Sequence, residues 1–148
     1  MKRFLILITV FSLGLGLWAG QMGHTKNLVF KQYVAAQEAL AADDFKLAKS
    51  SLELLAKNSE GELKKLTESA LKAGDLKTLR EAFKPLSEAI AKAELPNGLA
   101  LAYCPMVKNH WVQKNGKVAN PYYGSAMLRC GTIKKVAGED KHKHHQHH

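Results

Sequence analysis

Acidic residues, cysteine and proline are all scarce in this chain of 148 residues. It carries 13 Asp and Glu against 22 Lys and Arg, two Cys and four Pro. Each shortage excludes something. No paired-carboxylate site, HExxH, Ser–His–acid set or phosphate-cradling glycine loop occurs, so the chain is not expected to be an enzyme. The two cysteines do not form a CxxC, which removes support for a thioredoxin-like role. The acid deficit gives a formal charge of +9. A basic protein can bind nucleic acid or an anionic surface. Here the lysines are spread through the chain, with no RGG tract and no aromatic–basic alternation, which reads as a solvated surface.

Long apolar runs are scarce too. The only one, Phe4 to Trp18, follows Met1-Lys2-Arg3 and precedes Ala19-Gly20. A basic start, an apolar stretch and a small-residue exit are the layout of a secretory signal. The run is short of the roughly 20 apolar residues that cross a bilayer. Residues 1–20 are read as a signal peptide. Leu17 or Trp18 at the minus-three position makes an unclean cleavage site, and an uncleaved anchor is the alternative. No Cys follows the run, which disfavours a lipoprotein. Export makes the periplasm the expected compartment and nucleic acid an unexpected partner. No other stretch is expected to enter the membrane.

Residues 21–136 read as one domain. His24, in the short leader before Lys26, is read as solvated. Val29, Tyr33, Ala36 and Leu40 recur at helical spacing, with Phe30 and Val34 beside them and Thr25 as the expected N-cap. Asp43-Asp44 breaks this helix and caps a second, which carries Phe45, Ala48, Leu52 and Leu55. Ser59 with Glu62 has the form of a capping box for a third, holding Leu63, Leu66 and Ala70. Gly74 suits a left-handed C-terminal position, and Asp75 caps the fourth helix. That helix has the most regular seam, Leu76, Leu79, Phe83, Leu86 and Ile90, with Pro85 inside it. Short linkers between sequential helices predict a mainly α fold, an up-and-down four-helix bundle. A turn-rich Cys/Met motif with short strands follows it. Leu99 to Tyr103 and Thr132 to Val136 are candidate strands. Asn115-Gly116 is read as a turn between Trp111–Gln113 and Lys117–Ala119, and Ser125 to Cys130 as a helical turn.

The unusual residues collect between Tyr103 and Gly131. Both cysteines, two of four methionines and three of four tyrosines lie there. Cys104 and Met106 flank Pro105, which stiffens their presentation. Met127 and Cys130 are three apart, the spacing of one helical face, and His110 lies between the pairs. Thiolate and thioether are soft donors that select Cu(I) over Ca²⁺ or Mg²⁺. Zinc would prefer Cys and His without Met. The other reading of the cysteines is a permanent disulfide, worth about 3 kcal/mol across such a loop, with Met106 and Met127 as packing residues and no metal. A pair that cycles between disulfide and metal-bound dithiol is a third. All three stand on the sequence.

The string YCPM, Trp111-Val112-Gln113, NPYYG, MLRCG carries a further signal. It resembles the C-terminal signature of a bacterial family of exported proteins, domain of unknown function 3347. The likeness extends to Tyr33, Ala39-Leu40 and Asp43-Asp44, and covers about residues 26–133. Val107 replaces the small residue usual after CPM in that family. The family's domain is also appended to some periplasmic adaptor subunits of copper and silver efflux pumps. The resemblance implies an association with heavy-metal resistance, most often copper, and an efflux adaptor as a partner.

The tail, residues 137–148, is separate. His142, His144, His145, His147 and His148 are spaced by Lys and Gln, unlike a purification tag. Neutral imidazoles on a disordered tail would ligate Cu(II), Ni(II) or Zn(II), with affinity falling as pH drops through about 6.5. The expected function is metal sequestration or delivery to efflux; the alternative is a disulfide-stapled structural or interaction module of the envelope.

Overall fold

The computed structural model describes residues 18–138, with side chains from Thr25 onward. The tail histidines and most of the expected signal lie outside the described residues. In order, the elements are α1 (Trp18–Ala41), α2 (Phe45–Asn58), α3 (Gly61–Ala70), α4 (Leu76–Ala91), β1 (Leu99–Cys104), β2 (Asn109–Lys114), a 3-10 turn (Gly124–Met127) and β3 (Thr132–Val136). The strands form one antiparallel sheet in the order β2-β1-β3.

This corrects the predicted four-helix bundle. The fold is mixed: four helices and a three-stranded sheet. Each helix packs on the next, but backbone contact between α1 and α4 is slight, and both lie against β2. Helices whose stripes are mostly Ala and Leu leave a wedge where a bundle would close. β2 takes that place, and its Trp111 and Val112 are fully buried.

Local signals explain the helices well. Asp43 takes a left-handed conformation (φ 61°) and ends α1. Asp44 then caps α2 by accepting from the Leu47 N–H at 2.9 Å. Asp75 and Thr78 form a reciprocal capping box on α4. The seam of α4 is buried at Leu79, Phe83, Leu86 and Ile90, with Pro85 inside the helix.

Four local expectations fail. Thr25 is not an N-cap, because it lies inside α1. Ser59 does not cap α3: it closes α2 in an extended conformation, and Glu60 precedes α3 with no side-chain cap. Gly74 is not left-handed. The carbonyls of Leu71 and Ala73 are met instead by Lys49 Nζ, reaching across from α2. Finally, Trp111–Gln113 does not pair with Lys117–Ala119. It pairs with β1, through a turn at Pro105–Lys108 in which Lys108 has φ 53°. The apolar run Leu99 to Tyr103 offers the larger surface to cover, and it wins the pairing.

The outer edge of β2 is closed by side chains rather than by another strand. Its outward N–H groups donate to helices: His110 to Glu88 Oε1 at 2.6 Å, and Val112 to Tyr33 Oη at 3.4 Å. Tyr33 is fully buried, stacks on Phe83 with 5.1 Å between centroids, and shares a 2.7 Å hydrogen bond with Ser87. Tyr33→Phe should therefore cost about 1–3 kcal/mol, read by urea unfolding, because it strips partners from buried groups. Burial holds the Tyr33 hydroxyl well above its ordinary value, and burial raises Tyr122 likewise. Unfolding releases both to ionise, so stability is full below about pH 10 and falls as pH rises beyond it. Tyr33→Phe should soften that alkaline limb.

Candidate functional site

Alternation along β1 places Ala100, Ala102 and Cys104 on the covered face of the sheet. Cys104 is the last of them and is fully buried. The chain then turns through Pro105–Lys108. Burial works to raise the Cys104 thiol. Hydrogen bonds from the Val107 N–H, the Asn120 side chain, the Met106 N–H and the Cys130 thiol outweigh it and hold the group below its ordinary value. A sulfur in such a cradle is stabilised as thiolate.

Cys130 arrives from the other end of the motif. It follows the 3-10 turn, where its N–H donates to the Met127 carbonyl at 3.0 Å. Its sulfur lies 3.8 Å from Cys104 Sγ, and both cysteines are free thiols. Burial, the hydrogen bond to Cys104 and the Cys104 charge push the Cys130 thiol up. The surroundings thus favour ionisation at Cys104 over Cys130. Gly131 makes the approach feasible. At φ 139° it carries the chain past the indole, where a Cβ would sit 2.6 Å from Trp111 Cη2 and 2.9 Å from the Tyr103 carbonyl.

The NPYYG segment forms the frame around the pair. Asn120 is fully buried. Its Nδ2 donates to the Cys130 carbonyl at 2.6 Å, its Oδ1 accepts from the Tyr122 N–H at 2.8 Å, and its own N–H donates to the Leu128 carbonyl at 2.8 Å. Tyr122 meets Trp111 edge-on at 5.9 Å, donates its hydroxyl to the His110 carbonyl and accepts from Asn109 Nδ2 at 2.7 Å.

Helical side chains clamp this frame from behind. Gln37 Nε2 donates to the Ala119 carbonyl at 2.7 Å. Arg80 donates to the carbonyls of Pro121 (3.0 Å) and Leu40 (2.9 Å) and to the Asp43 carboxylate. Asp43 in turn accepts from the Ser125 N–H and hydroxyl. The sequence reading missed these supports. A Gln inside the apolar stripe of α1, between Ala36 and Leu40, was the available signal for one of them.

The other predicted ligands stand apart. Met106 and Met127 are 64 % and 38 % exposed, so both thioethers lie at the surface while Cys104 lies in the core. His110 pairs with Tyr103 across the sheet, on the face opposite Cys104. Its Nδ1 lies 3.1 Å from Glu88 Oε1 and its ring packs on Tyr103. The structure brings the two thiols together and leaves His110 elsewhere. His142, His144, His145, His147 and His148 are outside the described residues. Among the described residues no cluster of three or more His, Cys, Asp or Glu could hold an ion, and no helix is long and apolar enough to cross a membrane. The chain matches no family model, no curated protein and no solved structure.

Proposed function

We propose that the chain is an exported binding protein for a soft metal ion, copper(I) foremost, serving sequestration or delivery to an efflux system. One observation carries this reading: two thiols 26 residues apart in sequence lie 3.8 Å apart in space. Two sulfurs bonded at about 2.3 Å to a shared tetrahedral ion lie about 3.8 Å apart. Zinc asks for four protein ligands, or three and a water, and the pair supplies two. A soft ion content with few sulfur ligands suits it better. Met106 and Met127, within three residues of each thiol but exposed at the surface, would have to turn inward to complete the shell. The resemblance to the domain of unknown function 3347 family supports the periplasmic placement and an efflux adaptor as recipient. The histidine tail would hold Cu(II), Ni(II) or Zn(II) as a second, pH-sensitive store.

Titration of reduced, full-length chain with the five tail histidines changed to Ala tests this. About one Cu(I) per chain is expected, as for a single soft-donor site. Cys104→Ser with Cys130→Ser should abolish it while helical circular dichroism persists. Unchanged binding in the double variant sinks the proposal.

The envelope module with a permanent disulfide is the second reading. The same short separation favours it, because little movement closes the bond. It expects no free thiol in protein taken directly from cells, and no effect of the double variant on metal tolerance.

A further inference from the structure

The two thiols differ in access. Cys104 is fully buried, whereas Cys130 is only partly covered. Cys130 also belongs to no regular element: the 3-10 turn ends at Met127 and β3 starts at Thr132. One sulfur of the pair thus sits inside the sheet, at the end of β1, and the other outside it. From Leu95 to Gly138 the chain has Lys108, Lys114, Lys117, Arg129, Lys134 and Lys135, and no Asp or Glu. The helices bring three carboxylates to this segment, Asp43 at Ser125, Glu88 at His110 and Glu38 at Lys114. The excess of positive charge that remains favours the approach of an anionic reagent.

We propose that Cys130 is the entry sulfur of a reversible dithiol–disulfide gate, taking up a small anionic disulfide as a mixed disulfide that Cys104 then resolves. In the first step the Cys130 sulfur attacks the small disulfide. A new S–S bond forms at Cys130, and one reagent thiolate leaves with the Cys130 proton. In the second, Cys104 Sγ, already 3.8 Å away, attacks the Cys130 sulfur. The Cys104–Cys130 bond forms, and a second reagent thiolate leaves and takes the remaining proton. Two protein thiols lose two electrons and one disulfide becomes two thiols. Reduction runs the same path backwards. An external thiolate attacks the accessible Cys130 sulfur and expels Cys104 into its cradle of N–H donors. The consequence for metal rests on the function proposed above: closing the bond withdraws both sulfur ligands. The thiol chemistry stands without it.

The test is a contest between access and acidity. Reduced, metal-free, full-length chain is treated with limiting iodoacetamide and digested with trypsin. Cleavage after Arg129 puts Cys130 at the head of its own peptide, separate from Cys104. Labelling of Cys130 should be about tenfold faster or more, because a thiol that reagent cannot reach reacts slowly whatever its acidity. Equal labelling, or faster labelling of Cys104, overturns the proposal. Oxidised glutathione gives the second arm. Cys104→Ser should accumulate one glutathione per chain at Cys130, Cys130→Ser should accumulate none, and the unaltered chain should pass to the internal disulfide. Uptake by Cys130→Ser at the rate of Cys104→Ser also overturns it. No metal is present in either arm. Copper binding that survives a failed thiol test removes the gate alone, and a sound thiol test with no copper binding removes the metal reading alone.

Discussion

Trp111→Ala is expected to lower the unfolding free energy by about 4 kcal/mol, the range of large-to-small changes at a buried tryptophan. A domain of this size has only about 5–15 kcal/mol in total. Among the described residues Trp111 is the largest fully buried side chain, and it sits beside the NPYYG segment. Its ring contacts Tyr122 edge-on and flanks the passage of Gly131. Its Nε1 donates to Gln113 Oε1 at 2.9 Å, but that oxygen also accepts from the Ala119 N–H at 3.0 Å. Truncation therefore orphans no acceptor, and the loss is one of cavity and dispersion. Trp111→Phe keeps most of the ring and should cost about half as much or less. Urea titration reads both. The thiols supply an independent readout. With the indole gone, Gly131 loses the wall that sets its path, and Cys104 should become open to alkylation. Retained protection of Cys104 would show that Trp111 does not position the pair.

Arg80→Ala should cost about 2–3 kcal/mol, because it leaves a carboxylate and two carbonyls without their shared donor. The guanidinium ties together the end of α1 (Leu40), the α1–α2 turn (Asp43) and the NPYYG segment (Pro121). Its side chain is only 15 % exposed, so water replaces those bonds poorly. Arg80→Lys should recover little, since a compact ammonium cannot cover the spread of acceptors that Nε and Nη2 of the guanidinium reach. The network also sets an acid limit. The Ser125 hydroxyl, then Arg80 and the Ser125 N–H, hold the Asp43 carboxyl below its ordinary value. A depressed carboxyl stabilises the fold fully above its unfolded value near pH 4, and that stabilisation is lost as pH falls through the folded value. Melting temperature should fall below about pH 4 in the unaltered chain. Ser125→Ala should make that slope shallower. Arg80→Ala should lower the whole curve and flatten it too. An unchanged acid slope in Ser125→Ala would remove Asp43 from the account.

The helices were legible because their signals are local. Asp44 and Asp75 cap within three residues, and the α4 seam repeats over its own length. β3 was legible from its run, Thr132 to Val136. The sheet was not, because pairing is a choice among distant segments. Asn115-Gly116 looks like a hairpin turn, yet Asn115 donates to the Gly98 carbonyl at 2.8 Å, one step past the end of the β1–β2 ladder. The polar atoms of Lys117 and Ala119 that a hairpin would use are taken by the Gln113 side chain. At the site, the proximity of Cys104 and Cys130 follows from β1 pairing with β3, which a reader of spacing can only suppose. His110 falls on the wrong face because one residue of strand register decides it. The clamp residues Gln37, Asp43 and Arg80 act across 82 and 41 positions or fewer, where sequence proximity carries no information.

The central place of β1 has a kinetic consequence. β2 follows it after a short turn, so those two strands can zip early. β3 must close a loop that contains the whole NPYYG segment before it can reach the other edge, and closure of longer loops comes at greater entropic cost. Cys130 lies on that late-arriving side. The sulfur pair depends on that closure: a nascent chain that has not yet laid down β3 holds two separate thiols in place of the pair.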